Sequence, residues 1–521
     1  MLDEVLEGFE PSPEFLSLMA GSKTAAVLAV DIGTSGVRAS LFDERGSEID
    51  GATVRVSQPL SEIGELAVAD AEAGFELVTQ TIDALLDLPY LLGAQIQLIA
   101  ISCFWHSLLG VDAQGLATTP VFGWADTRAA AAVEELRSRF DETAVHARTG
   151  CRFHSSYWPA KLLWLRSSHA EAVNSTSRWL SFGEYVVLRL SGETEASISM
   201  ASGTGLFNQR LLQWDTELIN ALGIPPESLS EISSAGQASH QLRPEYAARW
   251  PVLSEARISR PIGDGAANSI GSGCTERKQA ALMIGTSGAM RVLYEGEPPT
   301  ELPSALWCYR ADRKRVIVGG ALSDGGGLYR WLKELLLPND NSESIEAALG
   351  VLEPDAHGLT VLPFWGGERS TGWSTEARGG ILGLTIRTQP IEIVRAAMEA
   401  IAYRLALIAK ALEPLAPGAT IIASGTALRS SPVWTQVIAD VFGRSVMLSK
   451  PREASVRGAA LLALEAAGKI QSITGLPVRV EQTFEPNMKR HVKYQEGLKR
   501  QQRIYERLIE PPQTGDKETY Q

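Results

Sequence analysis

Ile32-Gly33-Thr34-Ser35-Gly36 recurs residue for residue as Ile284-Gly285-Thr286-Ser287-Gly288, almost half of the 521-residue chain later. The first copy follows the apolar run Ala25–Val30 and precedes Val37–Phe42. The second follows Ala280–Met283 and precedes Ala289–Tyr294. Both read as strand, tight glycine turn, strand. Glycine admits positive φ and lets a ligand come close. Thr and Ser hydroxyls beside consecutive backbone N–H groups suit a phosphate. One such hairpin in each half predicts a duplicated domain that grips a nucleotide triphosphate from both sides.

Outward from the first hairpin, Asp70–Leu86 and Ala129–Arg139 have helical spacing and Gln97–Ile101 reads as a strand, so the class is α/β. Outward from the second, Ile391, Val394, Met398, Ile401, Leu405, Ile408 and Leu412 predict a helix from Pro390 to Leu412, with the proline in its first turn. Ala419–Ala423 reads as a strand opening into Ser424-Gly425-Thr426-Ala427 and then a helix ending at Phe442. That order places backbone N–H groups at a strand mouth.

The bulk composition, 45% hydrophobic and 21% charged, is that of an ordinary globular protein. A net charge of −13 argues against nucleic acid as a partner. The four cysteines, Cys103, Cys151, Cys274 and Cys308, have no CxxC spacing and read as reduced thiols of a cytoplasmic protein. No run of eighteen apolar residues exists, so no membrane span is expected. The acidic first 23 residues read as a disordered or loosely attached extension, and 509–521 as a flexible tail.

Asp31 precedes the first pentapeptide, where the second copy has Met283. A carboxylate there either holds a divalent ion beside phosphates or stabilises its own turn, and the metal role is preferred. Arg38 is placed either to meet a phosphate or as an ordinary strand arginine. Gly263-Asp264-Gly265 sets one carboxylate in a flexible small-residue frame, which makes Asp264 a candidate general base. Trp105-His106 and Trp124-Ala125-Asp126-Thr127-Arg128 combine aromatic faces with charged partners, as a polyhydroxylated ligand requires. His154 is a weaker third candidate. Glu368-Arg369 reads as a structural ion pair.

Taken in order, Asp31–Ser35, Trp124–Arg128, Gly263–Ala266, Ile284–Gly288, Gly367–Arg369 and Ser424–Ser430 followed by Trp434 resemble the FGGY carbohydrate kinases of the actin–hexokinase–heat-shock ATPase superfamily. The likeness spans roughly Ala25 to Leu508. It implies two ribonuclease-H-like domains with a central cleft: 24–262 mainly for sugar and 263–508 mainly for ATP. It implies Asp264 as catalytic base and, with Asp31, a magnesium-linked carboxylate. Gly33, Thr34, Ser35, Arg38, Gly285, Thr286, Ser287, Gly326, Gly425 and Ala427 would line ATP. Trp105, His106, Asp126, Arg128 and His154 would contact the carbohydrate. Arg152 and Lys161 join Arg128 as cations available to an acidic sugar.

Within the family the likeness is greatest to gluconate kinases, with D-gluconate the expected substrate; xylulose, ribulose, glycerol and erythritol are the alternatives. Three departures stand out: Trp105 where relatives carry Met, Ser323-Asp324 where gluconate kinases tend to carry asparagines, and Thr426 where a second glycine is usual. A small carbohydrate is the expected partner, ATP and Mg²⁺ the cofactors, and a homodimer a candidate assembly.

Overall fold

The first Ile-Gly-Thr-Ser-Gly segment forms the turn of a β-hairpin in the computed structural model, which describes residues 26–57, 68–88, 96–233 and 240–509. The expected N-terminal extension (1–23), and the expected tail beyond residue 509, lie outside the described residues. The chain divides into two compact units. One comprises Met1–Arg277, Val292–Val318 and Pro451–Arg479; the other Lys278–Arg291, Gly319–Lys450 and Val480–Gln521.

In the first unit β1 (Ala26–Gly33), β2 (Gly36–Phe42) and β3 (Glu48–Val56) run up and down. α1 (Ala71–Leu86) packs on β2 and β3, and Asp70 caps it by accepting the Ala73 N–H. β4 (Ile96–Cys103) lies parallel beside β1. Helices α2 (Ala130–Arg139), α3 (Trp158–Ser168) and α4 (Ile198–Ser202) follow. The chain then returns through β5 (His240–Gln241), β6 (Arg257–Ile258) and β7 (Ile262–Gly263). β6 pairs with the middle of β4 and β7 with its end, both in parallel. β1 is buried along almost its whole length, as a strand covered on both faces should be.

β7 leads straight into α5 (Asp264–Gly271). The flexible frame expected around Asp264 is therefore a strand end and the first turn of a helix. Small residues at Gly265, Ala266 and Ala267 do not loosen this segment; they let another helix approach it. A Cβ on Gly271 would lie 1.7 Å from the Ala454 carbonyl oxygen.

Past α5 come β8 (Gln279–Ile284), β9 (Gly288–Glu295), β10 (Trp307–Arg310) and β11 (Arg315–Leu322). α6 (Gly326–Leu336) and α7 (Pro390–Leu412) follow, and α7 matches the expected bounds. β12 (Thr420–Ser424), α8 (Thr426–Ser430), α9 (Pro432–Phe442) and β13 (Val446–Ser449) succeed them, then α10 (Ala454–Ala466), β14 (Val480–Phe484) and α11 (Met488–Leu508). In the second unit β8 pairs antiparallel with β9 and parallel with β12; β13 and β14 extend that sheet. β10 and α10 belong to the first unit, where α10 packs on β1, β4 and α5.

Candidate active site

Three parallel strands of the first unit end on one edge of its sheet. β1 brings Asp31, β4 brings Ser102 and Cys103, and β7 delivers Asp264. Carboxyl ends of parallel strands are where α/β folds hold ligands. Asp31 is 3% exposed. Its Oδ1 accepts the Ser102 hydroxyl at 2.7 Å and its Oδ2 accepts Arg38 Nη1 at 3.0 Å. Burial pushes its carboxyl above the ordinary range, and Arg38 and Ser102 only partly oppose that. Arg38 Nε approaches Glu453 at 3.5 Å, and Glu453 also pairs with Arg55.

Asp264 occupies the first position of α5, where the helix dipole favours a negative charge. Its Oδ1 accepts the Gly265 N–H at 2.7 Å. Cys103, on the strand between the two carboxylates, has its thiol pushed up by burial first, then by the charges of Asp264 and Asp31. In the strand register Asp31 stands beside Ser102 and Gly263 beside Cys103, so both carboxylates lie at the same end of the sheet.

An aromatic wall adjoins Asp264. The Trp105 ring lies so close to Gly263 that a Cβ there would sit 1.9 Å from it. Its indole N–H donates to the Ser199 carbonyl at 2.9 Å, while the Ser199 hydroxyl accepts the Gly263 N–H at 3.1 Å. Trp307 and Tyr309 stack on each other at 4.2 Å and meet Trp105 edge-on. His106 adopts φ +70° and donates Nδ1–H to the Gly203 carbonyl at 2.6 Å. Tyr157 and Tyr309 bracket its ring and share a 2.6 Å hydroxyl contact.

The cations nearby are engaged. Arg128 forks onto Asp126 through Nε and Nη2, and its guanidinium lies 5.3 Å from the Phe122 ring and 4.7 Å from Trp164. Lys161 donates to the His106 and Phe122 carbonyls at 2.7 and 3.2 Å. Burial lowers its ammonium to about 7, against the pull of Asp126. Arg152 pairs with Glu142 at 2.7 Å. His154 sits in a turn of its own, where Nδ1 accepts the Ser156 N–H.

In the second unit the repeated pentapeptide is gripped by the start of α6. Gly326 N–H donates to the Gly285 carbonyl and Gly327 N–H to that of Thr286. A Cβ on Gly326 would lie 2.4 Å from the Gly285 oxygen and 2.8 Å from the Ala427 Cβ; one on Gly425 would lie 2.3 Å from the Ile284 oxygen. Gly285, Thr286, Ser287, Gly326, Gly425 and Ala427 are thus brought together. Asp324 beside them accepts the Gly366 N–H at 3.0 Å, and burial raises its carboxyl to about 7.

Two points depart from the expected picture. Glu368 forms its buried ion pair with Arg404 and also accepts the Tyr505 hydroxyl, while Arg369 donates to the Leu322 carbonyl. Ser102, Ser199, Glu453 and Tyr157 enter the site without any sequence motif, and Trp307 and Tyr309 join the aromatic wall. Each is joined to its partner by contacts between distant parts of the chain.

Twin glycine hairpins on two α/β units, with a carboxylate pair on one sheet edge, are the equipment of a phosphoryl-transfer enzyme. The chain belongs to the FGGY family of carbohydrate kinases: the family's N-terminal domain matches residues 26–271 and its C-terminal domain residues 280–467. A gluconokinase of Bacillus subtilis (strain 168) is 28% identical, over 88% of this chain and 91% of that one. Two solved structures from Lactobacillus acidophilus, a gluconate kinase and a ligand-bound xylulose kinase, each superpose with a TM-score of 0.83 at 28% identity. Each covers 93% of this chain and 98% of its own. The chain has the two-domain FGGY kinase fold, and among its described residues no helix is long and apolar enough to cross a membrane.

Proposed function

We propose that the chain transfers the γ-phosphoryl group of ATP to a hydroxyl of a small sugar acid, with D-gluconate as acceptor and 6-phosphogluconate as product. The carrying observation is the carboxylate pair, Asp31 and Asp264, on the edge that Cys103 shares. Asp264 accepts the proton of the attacking hydroxyl while the new O–P bond forms and the bond to ADP breaks. Gly263 and Trp105, tied together through Ser199, hold Asp264 at a fixed distance from the aromatic wall.

The donor set on this edge is carboxylate and hydroxyl oxygen, which suits Mg²⁺ and not a soft metal. Asp31 and Asp264 would hold the ion. Bound with ATP, Mg²⁺ supplies positive charge to the phosphates. The hairpin hydroxyls of Thr34, Ser35, Thr286 and Ser287 are the proposed phosphate contacts.

Likeness to gluconokinases over nearly the whole chain supports gluconate. Arg128 Nη1, outside the fork with Asp126, is then the group left to meet its carboxylate. The engagement of Arg128, Arg152 and Lys161 favours a second reading, a neutral acceptor such as xylulose. ADP release with Mg-ATP against gluconate, xylulose, ribulose, glycerol, erythritol and a sugar-free blank separates the two. Turnover on gluconate above all others supports the first reading. Preference for a neutral sugar overturns it in favour of the second, and no sugar-dependent release overturns both. In the gluconate case Arg128→Ala raises KM for gluconate far more than for ATP.

A further inference from the structure

Behind the strand that carries Asp264, wholly within the first unit, lies a cavity of about 420 Å³. It is framed by Ile101 of β4, the start of α4, the link from β6 to β7, the β10–β11 turn and the last two turns of α10. That volume is in the range of small-molecule sites.

Its charge is out of keeping with a chain of net charge −13. Four cations line it, Arg260, Arg313, Lys314 and Arg315, against two carboxylates, Asp312 and Glu465. Both carboxylates are already taken by Arg315, whose Nη1 lies 2.6 Å from Asp312 and whose Nη groups lie 2.7 and 2.6 Å from Glu465. Arg260 is held by Glu195. Arg313 and Lys314, exposed on the β10–β11 turn, have no ion-pair partner among the described residues. Arg315 is 1% exposed, yet its Nε has no acceptor. Arg315 also meets Glu295 at 3.3 Å, so the positive charge left for an occupant is that of Arg313 and Lys314. The hydroxyls of Ser199 and Ser259 add partners suited to a polyol chain.

We propose that this cavity is a second ligand site that takes a small polyhydroxylated anion, a sugar acid or a sugar phosphate. Ser199 joins it to the reaction edge. The same residue lines the cavity, accepts the Gly263 N–H and holds the Trp105 indole. An occupant hydrogen-bonded to Ser199 therefore pulls on the residue before Asp264 and on the aromatic wall together, so filling the cavity alters the transfer rate. The binding claim stands apart from the identity of the acceptor.

The test is calorimetric titration of the full chain, without nucleotide, with gluconate, 6-phosphogluconate and inorganic phosphate in turn. The double variant Arg313→Glu/Lys314→Glu is run beside it. We expect one binding event per chain to weaken about tenfold or more in the variant, while ATP titrated separately binds within about twofold of the parent. Loss of a phosphate or 6-phosphogluconate event assigns a sugar phosphate; loss of a gluconate event alone assigns a sugar acid. Ala463→Phe, which fills the cavity from α10, should abolish the same event; if it fails to fold, the charge variant decides. Titrations that are identical in parent and charge variant, or an absence of binding by all three probes, overturn the proposal. Neither result bears on whether Asp264 is the base.

Discussion

The two copies of Ile-Gly-Thr-Ser-Gly are chemically identical and structurally different. In the first, Gly33 pairs with Gly36 across a two-residue loop of Thr34 and Ser35. In the second, Ile284 pairs with Gly288, leaving a three-residue loop of Gly285, Thr286 and Ser287. Gly36 sits at φ +144°, whereas Gly288 keeps a φ that any residue adopts. The neighbours decide this. β3 runs along β2 and brings the Val56 carbonyl against Gly36, while α6 captures the Gly285 and Thr286 carbonyls with its first N–H groups. The residue before each copy completes the contrast. Asp31 is a buried carboxyl bonded to Ser102 and Arg38; Met283 is an apolar filler. A five-residue motif can mark a duplication without specifying its turn, and chemistry need reside in only one copy.

The contrast breaks most visibly at that preceding residue. Asp31→Asn should lower kcat about 10²- to 10³-fold, by the magnitudes usual for a charge that stabilises phosphoryl transfer. Met283→Leu should leave kcat within about twofold, since it keeps volume and apolar character. Steady-state rates with saturating Mg-ATP check both, and equal losses would erase the asymmetry.

The next effect is on stability. Gly36→Ala forces a Cβ to within 2.3 Å of the Val56 oxygen at a φ reserved for glycine, and should cost about 3 kcal/mol. The equivalent Gly288→Ala meets nothing nearer than 3.7 Å, and should cost less than about 1 kcal/mol. Denaturant unfolding compares them, and similar costs would mean that the two turns share one register.

A smaller effect sharpens the second hairpin's surroundings. Asp324 is raised to about 7 by burial. The fold therefore holds a proton on it that the unfolded chain loses near 3.8, the ordinary value. Between those values the folded state binds more protons, so Asp324 takes stability away as pH rises toward 7. Asp324→Asn, which keeps an acceptor for the Gly366 N–H, should match the parent near pH 4 and exceed it at pH 8. Unfolding midpoints at the two pH values test this; a gap that shrinks as pH rises would reverse the sign.

What was legible in the sequence was whatever is local. The spacing of Ile391 to Leu412 predicted α7 to the residue, and both hairpins fell where apolar runs flank glycines. Asp31, Asp264 and the Trp124–Arg128 motif could be singled out because each carries its reactive type in a distinctive local frame. The helix at Asp264 is not legible locally because its small residues suggest looseness, whereas they serve the close approach of α10. The one-residue difference between the hairpins depends on β3 and α6, neither of which the pentapeptide encodes. The engagement of Lys161 with the His106 carbonyl spans 55 residues, and the Ser199 hydrogen bond to Gly263 spans 64. No spacing rule reaches that far.

The central claim is that Asp264 takes the acceptor's proton. Asp264→Asn keeps the side chain's size and its bond to the Gly265 N–H, so binding should survive. Sugar-dependent ADP release by this variant, measured alongside calorimetric titrations of ATP and gluconate, is the most direct test. The account predicts a loss of about 10³-fold or more in kcat with both affinities nearly unchanged. Turnover close to that of the parent would contradict it.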